Sequence, residues 1–134
     1  MARLILDTTA LIAAERGDGS LAEAFDDSDD LALATVSIAE LLVGAELADA
    51  SRHPRRAELI ERIVTEIPME PYTVAVARMH AGLLAHIRRT GRPRGAHDLI
   101  IAATALASDR IVVTADRRGF EDLPGVEVRI VSGG

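Results

Sequence analysis

The run Leu4-Ile5-Leu6, ending on Asp7, constrains this chain more than any other feature. A strand with one face in water alternates apolar and polar side chains, so consecutive apolar residues belong to a strand covered on both faces, as in the centre of a parallel sheet. Leu31 to Ala34 and Ile111 to Thr114 repeat the pattern. Val126, Val128 and Ile130 instead alternate with Glu127 and Arg129, the pattern of an edge strand. Pro68 and Pro71 restrict any strand near Met69 to a short edge element.

Helical patterns fill the intervals. Thr8 or Thr9 starts a helix through Arg16, which the Gly17-Asp18-Gly19 turn stops, and Leu21 to Asp26 reads as a further short helical piece. The acidic run Asp26-Asp27-Ser28-Asp29-Asp30 reads as a solvated loop. Ser37 opens a helix through about Ala48 that turns Ile38, Leu41, Leu42 and Ala45 to the sheet. Pro54 suits a first helical position, and Leu59, Ile60, Ile63 and Ile67 recur at helical spacing. The longest helix runs from Tyr72 to about Thr90, with Val76, Met79, Leu83, Leu84 and Ile87 inward, and Gly91 ends it. Asp98 to Ser108 is apolar enough to be buried on most sides. The alternation predicts a three-layer α/β/α sandwich around a mainly parallel sheet of about five strands. A length of 134 residues, 49% of them hydrophobic, fits one such domain over 1–134.

Composition removes several function classes. There is no cysteine, hence no thiolate chemistry, zinc–sulfur centre or disulfide framework. Asp7 comes too early for the apolar segment of a signal peptide, and the apolar-rich stretch Leu99 to Ala107 is too short to span a bilayer, so a cytoplasmic protein is expected. The net charge of −6 argues against nucleic-acid binding through a broad basic surface. With Phe25, Tyr72 and Phe120 the sole aromatic residues, a base-stacking platform is not expected either.

In a parallel sheet, residues that close strands and residues that open the following helices share the carboxyl rim. Asp7 closes the first strand, Glu40 lies in the first turn of the next helix, Asp98 opens the late apolar helix, and Asp116 follows Thr114 by two residues. All four carboxylates therefore belong to one rim. Each also has a local explanation. Ser37-Ile38-Ala39-Glu40 matches a capping box, Asp98 can cap its helix, and Asp116 can hold the turn Thr114-Ala115-Asp116-Arg117. Asp7 can cap the Thr8/Thr9 helix, but a carboxylate that continues a buried strand needs compensation.

Gathered together, four like charges repel, and a divalent cation removes the conflict. Oxygen-only ligands favour Mg²⁺ or Mn²⁺ over Zn²⁺ or Cu²⁺, and no Asp-rich twelve-residue calcium loop is present. Such an ion activates water and neutralises charge on a phosphoryl group, which is the chemistry of phosphodiester hydrolysis. Arg88, Arg89, Arg92 and Arg94 are the basic residues placed to meet a phosphate backbone, with a favourable helix C-terminus as the local alternative. Arg52, Arg55 and Arg56 form a second basic cluster, and His97 is placed to orient a phosphate, tune Asp98 or bond within its own turn. His80 and His86 read as surface residues of the long helix.

Four segments together resemble the PIN domain, and within it the VapC-type toxins of bacterial toxin–antitoxin pairs. They are Leu6-Asp7-Thr8-Thr9-Ala10-Leu11-Ile12, Ser37-Ile38-Ala39-Glu40-Leu41, His97-Asp98-Leu99-Ile100-Ile101-Ala102-Ala103-Thr104-Ala105, and Val113-Thr114-Ala115-Asp116 with Phe120 four residues later. The resemblance runs from Leu4 to nearly the C-terminus. It implies that Asp7, Glu40 and Asp98 form an acidic metal site with Asp116 as a further member, and that Thr8 and Thr114 are hydroxyl groups beside it. Many relatives carry asparagine at the Asp116 position, which weakens the case for direct ligation there. The resemblance further implies a Mg²⁺- or Mn²⁺-dependent endoribonuclease acting on structured RNA, with water as nucleophile, a homodimer, and a small antitoxin that places a basic side chain in the acidic pocket.

Two rival functions remain open at this level. One is a catalytically inactive PIN-like module whose acidic rim binds a basic peptide. The other is an aspartate-nucleophile phosphatase starting at Asp7, which needs a second aspartate where this chain has Thr9.

Overall fold

The structure is a computed structural model that describes residues 1–15 and 28–131. In chain order it contains β1 (Arg3–Leu6), α1 (Thr8–Glu15), β2 (Asp30–Ala34), α2 (Thr35–Leu47), α3 (His53–Glu66), β3 (Met69–Glu70), α4 (Val74–Thr90), α5 (Ala96–Ser108), β4 (Ile111–Thr114) and β5 (Val128–Ile130). A 3₁₀ turn at Arg117–Gly119 separates the last two strands. The expected helix end at Arg16, the Gly17-Asp18-Gly19 turn, the Leu21 to Asp26 helix and the first two residues of the acidic loop lie outside the described residues.

The strands form one sheet in the order β3-β2-β1-β4-β5, with every neighbouring pair parallel. The unbroken apolar run of β1 follows from its central place. Leu4 and Leu6 join Ala10, Leu11, Leu33, Ile63 and Val113 on the face covered by α1, α2 and α3. Ile5, between them, joins Val76, Leu83, Leu99, Ile101, Val112 and Phe120 on the face covered by α4 and α5. The period of two thus sends each strand residue into one of two cores, completing the three-layer sandwich.

Local signals set the helix ends. Thr73 caps α4 by accepting a hydrogen bond from the Val76 amide at 3.2 Å, and Gly91 ends it in the left-handed region at φ 69°. Arg110, whose side chain is 6% exposed, has a structural role that no sequence pattern marks. Its Nη1 donates to the carbonyls of Leu4 and Asp30 at 3.2 and 2.9 Å, and its Nε and Nη2 both reach Glu70 Oε1, at 3.2 and 3.0 Å. One guanidinium so ties four strands' flanking groups together through charge-assisted bonds.

Several boundaries and faces differ from the sequence expectation. α2 begins at Thr35, two residues before Ser37, and it has no side-chain cap. Leu42, expected to face the sheet, is 48% exposed, since the buried stripe runs through Ile38, Leu41 and Ala45 and Leu42 lies one step around the helix. Met79 likewise sits on the flank of the α4 stripe set by Val76, Leu83 and Ile87, and it is exposed. β5 keeps only Val128–Ile130 of the expected alternation. No helix among the described residues is long and apolar enough to cross a membrane.

Candidate functional site

From β1 the chain steps outward through β2 to β3, then returns to place β4 on the other side of β1 and continues to β5. The β1/β4 boundary is therefore the point where the winding direction reverses, and crevices at the carboxyl ends of such strands are where α/β sheets bind ligands. Asp7 follows β1 directly, and Asp116 follows β4 by two residues. Asp98 is the third residue of α5, and Glu40 is the sixth of α2, two residues further into its helix than expected because the helix starts at Thr35.

Asp7 is the most fully bonded of the four. Its side chain is buried at 2% exposure. Oδ1 accepts from the Thr9 hydroxyl at 2.7 Å and from the Ala10 amide at 3.0 Å, and Oδ2 accepts from the Thr114 hydroxyl at 2.6 Å. Thr9 Oγ1 also accepts from the Ala115 amide at 2.9 Å, and Thr114 Oγ1 accepts from the Asp116 amide at 3.0 Å. Each hydroxyl carries one proton, so with both donated to Asp7 the two threonines serve otherwise as acceptors and lock the β1 and β4 ends together. Burial pushes the Asp7 carboxyl above its ordinary range, while the bonds from Thr114, Thr9 and Ala10 pull it partly back.

Asp98 stands in the opposite condition. Among the described residues no hydrogen bond reaches its carboxylate, and burial, then the negative charges of Asp7, Glu40 and Asp116, push its pKa up, with His97 offsetting part of the rise. The carboxylate lies in space that two glycines leave open. A Cβ on Gly119 would come to 2.6 Å from Asp98 Oδ2, and one on Gly95 to 3.2 Å.

Glu40 is held from two sides. Thr8 Oγ1 donates to Oε2 at 3.4 Å, and His97 Nδ1 lies 3.0 Å from Oε1. The capping box is not formed, because Ser37 lies inside α2, fully buried, with its hydroxyl unpartnered. Asp116 does what its local reading proposed. It caps the 3₁₀ turn through a bond from the Arg118 amide at 3.1 Å, and it is exposed.

The structure thus brings Asp7, Glu40, Asp98 and Asp116 to one rim, near enough for Asp98 to feel the other three. As the side chains lie, no group of three or more His, Asp or Glu among the described residues is drawn together closely enough to hold a metal ion. The donor chemistry of oxygen ligands under mutual repulsion fits a hard divalent cation, while the side-chain spacing is wider than ligation needs.

The four expected backbone-binding arginines divide. Arg88 and Arg89 are exposed in the last turn of α4. Arg92 Nη1 donates to Asp122 at 3.3 Å. Arg94 donates from Nε to the Arg118 carbonyl at 3.2 Å and from Nη2 to that of Glu121, which ties the loop before Asp98 to the turn that carries Asp116. Three contributors were missed from sequence, namely Thr9 as a partner of Asp7, His97 as a partner of Glu40 and Gly119 as space for Asp98. The doublet Thr8-Thr9 after a strand-ending aspartate carried a signal for the first, whereas the other two depend on contacts between distant segments.

The family model described as PIN domain matches residues 4–126. The chain is 30% identical over 128 residues to the "tRNA(fMet)-specific endonuclease VapC" of Shigella flexneri, covering 94% of this chain and 96% of that protein. It is 37% identical over 113 residues to "Ribonuclease VapC5" of Mycobacterium tuberculosis, covering 84% and 82%. Among solved structures, DNA-bound VapBC from Salmonella typhimurium superimposes with a TM-score of 0.84 at 26% identity, covering 96% of this chain and 98% of that one.

Proposed function

The chain belongs to the PIN-domain family and, within it, to the VapC-type ribonuclease toxins of toxin–antitoxin pairs, and on that premise we propose that it is a metal-dependent endoribonuclease. The observation that carries the reading is the Asp98 carboxylate, which receives no hydrogen bond among the described residues and is raised in pKa first by burial and then by three neighbouring carboxylates. A group in that state is disfavoured as an anion unless a cation joins it.

In this reading Asp7, Asp98 and Glu40 hold Mg²⁺ or Mn²⁺, and Asp116 contributes from the exposed side of the rim. The ion, when bound, supplies an activated water and neutralises charge on the phosphoryl oxygens. The protein's own residues do the positioning. Thr9 and Thr114 fix both oxygens of Asp7, Thr8 reaches Glu40, and Arg94 holds the Asp98 loop against the Asp116 turn. Arg88 and Arg89, exposed at the same end of α4 as the loop leading to Asp98, are assigned to the RNA backbone, with Arg92 beside them. Asp7 is a poor candidate for a phosphatase nucleophile, since Thr9 stands where the second aspartate is required and its hydroxyl is bonded to Asp7 itself.

The partners proposed are structured RNA as substrate, a second copy of the chain and a small antitoxin with a basic side chain for the acidic rim. Exposed apolar side chains at Leu42, Val43 and Leu47 on α2, at Tyr72 before α4 and at Val74, its first residue, are consistent with protein partners. The wide spacing of the carboxylates favours a second reading, an inactive PIN-like module that binds a basic peptide at the rim. Cleavage of structured RNA by the purified protein separates the two. The nuclease reading expects cleavage that stops in excess EDTA and returns with added Mn²⁺, and cleavage undiminished by EDTA sinks it. The module reading expects tight peptide binding and no cleavage under either condition.

A further inference from the structure

Glu40 differs from the aspartates around it in having an extra rotatable bond, and it sits a full turn inside α2 rather than at a strand end. A longer carboxylate near the like charge of Asp98 has several rotamers available, and something must select one. Thr8 bonds to Oε2 at a long 3.4 Å, which makes it the weaker hold. The closer contact is on Oε1, where His97 Nδ1 lies at 3.0 Å.

His97 is well placed for that task. It is the second residue of α5, immediately before Asp98, so the helix that presents one acidic group also presents the partner of another. The N-terminal end of α5 is held in turn by Arg94, which bonds to the Arg118 and Glu121 carbonyls. The position of the imidazole relative to Asp98 is therefore set by one helical turn on an anchored loop. His97 is 47% exposed and Glu40 30%, so neither is buried in a way that would make the pair a packing element.

We propose that His97 is a positioning residue for divalent-cation binding: by holding Glu40 Oε1 at the start of α5, beside Asp98, it limits the rotamers from which Glu40 closes with Asp7 and Asp98 on an ion that draws the three together from their wider spacing. The inference rests on the metal-site reading above. Outer partners of ligating carboxylates set ligand orientation, and their loss lowers metal affinity by about 10–100-fold. A half-exposed pair belongs at the lower end of that range.

The test is Mn²⁺ binding to the full chain by titration calorimetry at one fixed pH, with wild type, His97→Ala, His97→Asn, Glu40→Gln and the double variant Glu40→Gln/His97→Ala. His97→Ala should weaken Mn²⁺ binding about 10-fold with an unchanged thermal midpoint. His97→Asn, whose side-chain amide nitrogen can replace Nδ1, should recover most of the loss. Adding His97→Ala to Glu40→Gln should cost nothing further, the signature of two residues acting through one contact. Equal affinities for wild type and His97→Ala, or additive losses in the double variant, would overturn the inference and leave the metal site standing. Absence of any Mn²⁺ binding by wild type would overturn both.

Discussion

Asp7 and Asp98 stand on the same rim in opposite states. Asp7, at the β1/β4 junction, is buried and accepts three hydrogen bonds from Thr9, Ala10 and Thr114. Asp98, at the start of α5, accepts none among the described residues and leans into space left by Gly95 and Gly119. Both carboxyls are pushed above their ordinary range, but for Asp7 the cause is burial alone, with hydrogen bonds opposing it, and for Asp98 burial is joined by three like charges. The difference teaches that one half of the rim is built as scaffold and the other as a charge in need of a partner. A buried carboxylate with its donors supplied braces the strand ends it joins, its bonds offsetting part of the desolvation cost, whereas an unpartnered one among like charges carries a cost that only a cation offsets.

The largest effect expected from this contrast is on chemistry at the scaffold end. Asp7→Asn should lower metal-dependent RNA cleavage by about 10³-fold or more, since an ion that loses a carboxylate loses several kcal/mol of transition-state stabilisation. A single-turnover assay with excess enzyme measures it, and a variant within tenfold of wild type would move the ion away from β1.

Thr114→Val tests the scaffold itself. It keeps the shape of a fully buried side chain and removes the donor to Asp7 Oδ2, so chemical denaturation should show a loss of about 2 kcal/mol. A loss near zero would mean that the hydroxyl network does not hold the β1 and β4 ends.

The pH dependence has a definite sign. A carboxyl with a raised folded-state pKa contributes stability that is full below the unfolded pKa and is lost as pH rises through the folded value. Protein treated with EDTA should accordingly unfold at higher temperature when pH is lowered from neutral toward the raised pKa values of Asp7 and Asp98, until general acid denaturation takes over. Added Mn²⁺ should flatten the profile. A midpoint that falls steadily from neutral pH downward contradicts the assignment.

Arg94→Ala gives the smallest effect. Loss of its bonds to the carbonyls of Arg118 and Glu121 should cost about 1 kcal/mol and slow cleavage several-fold through looser placement of Asp98. If cleavage falls as far as for Asp7→Asn, Arg94 contacts the RNA instead of bracing the loop.

Much of this arrangement was legible in the chain. Consecutive apolar residues in Leu4-Ile5-Leu6 and Ile111 to Val113 identify central parallel strands, and a parallel sheet then forces the groups after strands and at helix starts onto one edge. What sequence could not carry is which local pattern yields to tertiary packing. Ser37-Ile38-Ala39-Glu40 has the letters of a capping box, yet α2 starts at Thr35, burial takes Ser37 inside, and Glu40 turns to Thr8 and His97. Asp116 shows the converse, for its local turn bond is kept and it stays exposed at the edge of the rim. The space for Asp98 depends on Gly119, twenty-one residues later, and no periodicity encodes that meeting.

The central claim is that Asp98 is a charge kept for a cation, and Asp98→Asn tests it most directly when stability and cleavage are read on the same preparation. In EDTA the variant should be slightly more stable than wild type, by about 0.5–1 kcal/mol after solvent screening, because the repelled charge is gone. With Mn²⁺ it should have lost nearly all RNA cleavage. An Asp98→Asn protein that cleaves like wild type in Mn²⁺ would contradict the account.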